Sequence, residues 1–84
     1  MKYSLRVSNA FERQLRRLKP EDRERVWTVI NEIQQAPHSY KPLGGQLSGT
    51  RSARTGDLRI IYALDESEKR VVLLHVGHRE RAYE

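Results

Sequence analysis

The first residues alternate. Tyr3, Leu5 and Val7 fall on one side of an extended chain, and Lys2, Ser4 and Arg6 on the other, which predicts a half-buried strand over residues 2–7. The apolar period then lengthens. Phe11, Leu15 and Leu18 recur at i, i+4 and i+7, one face of a helix capped by Ser8 or Asn9, with Glu12 in capping-box position after Asn9. Lys19-Pro20 ends that helix and opens another. Pro20 suits a first helical position, and Glu21 and Asp22 complement the positive end of the helix dipole. Val26, Trp27, Ile30 and Ile33 form its apolar face, and Ala36-Pro37 stops it. In that stripe Trp27 reads as packing in a core or partner interface, ahead of stacking on a nucleobase. The short link predicts an antiparallel helical hairpin.

Residues 37–49 are a connector with Pro42, Gly44, Gly45 and Gly49, anchored by Leu43 and Leu47. Its glycines lack the Lys-Ser/Thr of a phosphate loop and the third spaced glycine of a dinucleotide turn. Three runs rich in β-branched and aromatic residues follow, at 50–54, 58–64 and 70–76, separated by Thr55-Gly56-Asp57 and Asp65-Glu66-Ser67-Glu68. Links this short make neighbours antiparallel. Ile60, Tyr62 and Leu64 share one face, and Arg59, Ile61 and Ala63 the other. The run from Val71 to Leu74 is apolar on both faces, as in a strand covered on both sides. The helices cover only one face, so an ordered tail, a partner or a substrate is expected on part of the other. The expected fold is a single α+β domain over residues 1–84: an N-terminal strand, a two-helix antiparallel hairpin, then three antiparallel strands in a twisted sheet with the helices on one face.

Charge narrows the partners. Sixteen basic side chains stand against eleven acidic ones, a net charge of +5, which favours an anionic partner. There is no cysteine, so disulfides and thiolate zinc sites are excluded. No apolar run approaches the ~18 residues of a membrane span, and the opening residues lack a signal-peptide core. A cytoplasmic protein with no membrane partner is expected.

The residue types exclude most catalytic chemistries. His38, His75 and His78 have no metal-ligand spacing with one another or with a carboxylate, so neither metal nor cofactor is expected. The acids cluster in the 65–68 turn and on helix surfaces, where solvation accounts for them. What remains is arginine beside a phenol. Arg59 interrupts an otherwise apolar strand, and neighbouring strands can bring Arg51 or Arg54 alongside it. Arg79 and Arg81 follow the last strand, and Tyr83 follows them. Guanidinium groups hold phosphate bidentately and stay charged. Such a cluster suits a ribose-phosphate backbone and the extra charge of a phosphorane formed when a 2′-hydroxyl attacks its own 3′-phosphate. Tyr83 could serve as general base, with His78 a weaker candidate; taken alone, the residues favour nucleic-acid binding over catalysis.

The whole chain resembles the RelE/ParE superfamily of type II toxins, and its RelE branch in particular. The resemblance is carried by Leu47-Ser48-Gly49-Thr50, by the run from Ser52 to Tyr62 (Ser-Ala-Arg-Thr-Gly-Asp-Leu-Arg-Ile-Ile-Tyr), and by Val76-Gly77-His78-Arg79-Glu80-Arg81-Ala82-Tyr83. It implies a metal-independent endoribonuclease, an mRNA interferase that cuts codons in the ribosomal A site and so inhibits translation. Arg59, Arg79 and Tyr83 match the family's catalytic positions, and Arg54 and Arg81 match basic positions for RNA or ribosome contact, to which Arg51 and His78 are added. The chain departs from well-studied bacterial members at Thr50 and Ser52, where those carry two lysines; Arg51 is one residue off that register. The resemblance also implies a RelB-like antitoxin as partner, with operator DNA contacted only through that antitoxin. A ParE-like toxin that inhibits DNA gyrase without nuclease activity is the alternative from the same superfamily.

Overall fold

The computed structural model describes residues 2–78. Strand β1 (Ser4–Val7) leads into helix α1 (Asn9–Arg16) and helix α2 (Pro20–Gln35). A two-residue strand β2 (Lys41–Pro42) follows, then β3 (Thr50–Thr55), β4 (Leu58–Asp65) and β5 (Arg70–His78). These strands form one sheet in the order β1-β5-β4-β3-β2. The three long strands are antiparallel, whereas β1 runs parallel to β5, with Leu5 opposite Val71. The pair of helices supplies the long crossover that a parallel pairing needs.

Ser8 caps α1. Its Oγ accepts from the Phe11 N–H at 3.1 Å and donates to the Leu74 carbonyl at 3.1 Å, so one hydroxyl starts the helix and ties it to β5. With Ser8 as cap, Glu12 sits one position beyond the capping-box site and pairs with Arg16 instead. Pro20 occupies the first turn of α2, as expected. The α2 stripe differs from expectation at one place. Val26, Val29, Ile30 and Ile33 face the core, and Trp27 is 47% exposed. At roughly 100° per residue, Trp27 falls outside the arc that the other four share.

The core lies between the helices and one sheet face. Phe11 of α1, Val26, Ile30 and Ile33 of α2, and Leu58, Ile60, Tyr62, Val71 and Leu73 of the sheet are essentially inaccessible. Helix α1 packs on β5 and α2 on β3. The Tyr62 hydroxyl donates to the Pro37 carbonyl at 2.7 Å, which fastens the short 3-10 turn Pro37–Ser39 after α2. Burial raises the Tyr62 pKa far above the usual phenol range.

The connector also contributes the edge strand β2, with Lys41 opposite Ser52 and Pro42 opposite Arg51. Proline is tolerated there because an edge strand has no outer neighbour to receive its N–H. A second departure from simple alternation lies in β5. Ile61 pairs with His75 but Tyr62 pairs with Leu73, which leaves Leu74 as an extra residue in a bulge. The bulge reverses the alternation of β5. Val76 therefore joins Val71 and Leu73 in the core.

Candidate nucleic-acid interface

Residues directly opposite in adjacent strands project to the same face. Ala53 and Ile60 are such a pair, and both are core residues. Their neighbours Arg54 and Arg59, also directly opposite, therefore project from the other face, away from the helices. Gly77 of β5 completes that row beside Arg59 and adds no side chain. Arg54 is exposed and Arg59 is partly buried. The hairpin that joins them turns on Gly56-Asp57. Gly56 has φ of 60°, as the first central residue of a tight two-residue turn requires. The Arg25 guanidinium lies against the same glycine, 2.9 Å from where a Cβ would stand, and pairs with the buried Asp22. Helix α2 thus holds the turn from which both arginines extend.

Two other sequence candidates lie elsewhere. Arg51 is three residues from Arg54 and opposite Tyr62, so it projects to the helix side. Its Nη1 donates to the Tyr40 carbonyl at 2.8 Å and the His38 carbonyl at 3.4 Å, work that holds the connector to β3. Arg54, not Arg51, is the arginine beside Arg59. His78 pairs with Leu58, a core residue, because the bulge at Leu74 has reversed the alternation of β5. It lines a shallow cleft with Gln14, Arg17 and Val76, and its Nε2 is 3.8 Å from an Asp57 carboxylate oxygen. Arg79, Arg81 and Tyr83 lie outside the described residues.

The remaining titratable groups are tied into the scaffold. Gln14 caps the outer edge of β5 past the end of β1: its Oε1 accepts from the Val76 N–H at 2.9 Å, and its Nε2 is 3.4 Å from His75 Nδ1. The acids of the 65–68 turn are not merely solvated, contrary to expectation. Asp65 accepts from the Ser67 hydroxyl and the Glu68 N–H, which lowers its pKa. Glu66 accepts from the Tyr3 hydroxyl at 2.7 Å and also bonds His38, and these bonds hold its carboxyl below the usual range. Tyr3 is raised in return, chiefly by the Glu66 bond. Among the described residues, no three histidine or carboxylate groups converge as metal ligands would. No helix among them is long and apolar enough to cross a membrane.

Comparison with known proteins gives concordant results. The family described as "ParE toxin of type II toxin-antitoxin system, parDE" matches residues 5–83. Toxin RelG of Mycobacterium tuberculosis is 34% identical over 99% of this chain and 98% of its own length. Toxin RelE of the same organism is 39% identical over 66% of this chain, and the match spans 58% of that relative's length. A chain in the crystal structure of the toxin–antitoxin complex RelBE2 from Mycobacterium tuberculosis superposes with a TM-score of 0.87 at 33% identity, covering 94% of this chain and 93% of that one.

Proposed function

The chain belongs to the RelE/ParE superfamily of type II toxin–antitoxin toxins, and from that premise we propose that it is a ribosome-dependent endoribonuclease that cleaves mRNA in the A site. The observation that carries this reading is the Arg54–Arg59 pair on the sheet face away from the helices. Like charges directly opposite across a sheet repel. A phosphate placed over the pair would be within reach of both, and guanidinium groups match phosphate bidentately.

In the proposed reaction the 2′-hydroxyl of the substrate attacks the adjacent phosphorus in line. The O2′–P bond forms and the P–O5′ bond breaks, so a 2′,3′-cyclic phosphate and a 5′-hydroxyl are the products. The 2′ proton passes to a general base, and the departing 5′ oxygen takes a proton. Arg59 and Arg54 stabilise the extra charge of the phosphorane, the kind of preorganised electrostatic contribution that supplies much of such barriers. By resemblance, Arg79 shares that task, Tyr83 assists proton transfer or stacks on a base, and Arg81 contacts RNA or ribosome. A RelB-like antitoxin is the proposed inhibitor, in keeping with the relative seen in a toxin–antitoxin complex.

The test is addition of purified protein to a translating extract. Truncation of mRNA inside A-site codons is the expected result. Intact mRNA together with gyrase-dependent DNA breaks would replace this reading with the ParE-like one.

A further inference from the structure

The sheet face that carries Arg54 and Arg59 has a second polar row. Ser52 alternates with the core residue Ala53, so it projects to the same face as Arg54, two residues and ~7 Å away along β3. Its partner across β2 and β3 is Lys41. The side-chain alternation that puts Pro42 and Arg51 on the helix side therefore puts Lys41 on the arginine side. Lys41 and Ser52 stand in adjacent strands ~4.8 Å apart. Lys41 is exposed and Ser52 is partly buried. In the next strand the row continues with Ile61, which is fully buried, so the polar groups open to a ligand in this row are those of β2 and β3.

We infer that Lys41 and Ser52 form a second phosphate subsite, which holds the phosphodiester next to the one held by Arg54 and Arg59. The inference rests on the proposed RNA reading and extends it to the path of the strand across the sheet. Two same-face rows, each bearing cations, match the repeat of charge along an extended single strand, which proteins track with a basic groove. Lysine suits the outer position. Its ammonium sits on a flexible stem and meets a phosphate as a point charge, whereas the inner row uses the fixed fork of arginine. The Ser52 hydroxyl can donate to the same oxygen. The subsite fixes the direction in which the strand crosses the sheet and therefore which 2′-hydroxyl is in line for attack.

A chemical cycle on the full-length protein tests this. The probes are a 2′-O-methyl trinucleotide with two phosphodiesters and its two isomers in which one linkage is a neutral methylphosphonate. Binding is followed by NMR titration at low salt. Wild-type protein should bind both isomers more weakly than the parent. In Lys41→Ala, neutralising one of the two linkages should cost nothing further, while neutralising the other should cost as much as before. Lys41→Arg should restore the penalty. With a longer single strand, Lys41→Ala should also flatten the dependence of log affinity on log salt by about 0.7. An edge lysine that serves only to blunt the sheet would weaken all three probes equally or none, and either result overturns the subsite. If Arg59→Ala removes the penalty at the other linkage while Lys41→Ala is silent, this inference fails and the RNA reading stands. Failure of the wild-type protein to bind the parent trinucleotide overturns the subsite, while cleavage in a translating extract decides the RNA reading separately.

Discussion

Arg54 and Arg59 stand directly opposite one another across β3 and β4, two guanidinium groups on neighbouring strands of one sheet face. Opposed like charges cost stability, and the cost is greatest where salt is low. Arg54→Ala should therefore stabilise the fold by about 0.2–0.5 kcal/mol at low ionic strength. The gain should shrink as salt is added. Urea unfolding at two salt concentrations measures both. A loss of stability at low salt would mean that Arg54 makes a net favourable contact in the fold.

The turn below that pair depends on Gly56. Its φ of 60° suits glycine, and a Cβ there would meet the Arg25 guanidinium. Gly56→Ala should cost about 1–2 kcal/mol in urea or thermal unfolding. Cleavage should fall more than the unfolded fraction explains, because the turn sets the register of Arg54 against Arg59. Full activity in the remaining folded protein would show that the turn does not position the pair.

Gln14 replaces a missing strand. Beyond Val7 the first strand no longer pairs with β5, and the Gln14 carbonyl oxygen accepts the Val76 N–H in its place. Gln14→Leu leaves that N–H without its side-chain acceptor, at a cost of about 1–3 kcal/mol. Hydrogen exchange at Val76 should quicken more than at Leu73. Unchanged exchange at Val76 would contradict the assignment.

Glu66 makes stability depend on acid. Its pKa is lowered in the folded protein by bonds from Tyr3 and His38, so the unfolded chain binds the proton more tightly. The contribution is complete above the unfolded value of about 4.5 and is lost as pH falls through the lower folded value. The melting-temperature advantage of the wild type over Glu66→Gln should be steady near neutrality and disappear in strong acid. A difference that does not vary with pH would mean the carboxylate charge plays no part.

Much of this architecture could be read from periodicity. The strand start near Leu5, the helical spacing of Phe11 and Leu15, and Pro20 at a helix start all correspond to observed elements, although Val7 at the end of β1 is exposed and not packed on the core. The parallel pairing of β1 with β5 could not be read, because no local pattern tells which neighbour an edge strand chooses. Strand β2 is two residues long and contains a proline, which carries too little pattern to declare itself. Trp27 adjoins Val26 in sequence, but the two point about 100° apart on the helix, which takes Trp27 out of the buried arc. In the candidate site, the adjacency of Arg54 and Arg59 follows once the turn is fixed at Gly56-Asp57. The separation of His78 from them hinges on one extra residue at Leu74, and bulges leave no signature in an all-apolar run. Lys41 carries no local signal, because its partner Ser52 is eleven residues away, across a connector with no regular repeat.

If Arg59 stabilises charge on a scissile phosphate, its loss must show in single-turnover cleavage on ribosomes programmed with a defined A-site codon. At saturating toxin, Arg59→Ala should lower the rate by about 100-fold or more, the loss typical of removing one preorganised transition-state donor. The product should keep the same cut position, and Arg59→Lys should recover only part of the rate. A wild-type cleavage rate from folded Arg59→Ala would mean that Arg59 bears none of the charge at the scissile phosphate.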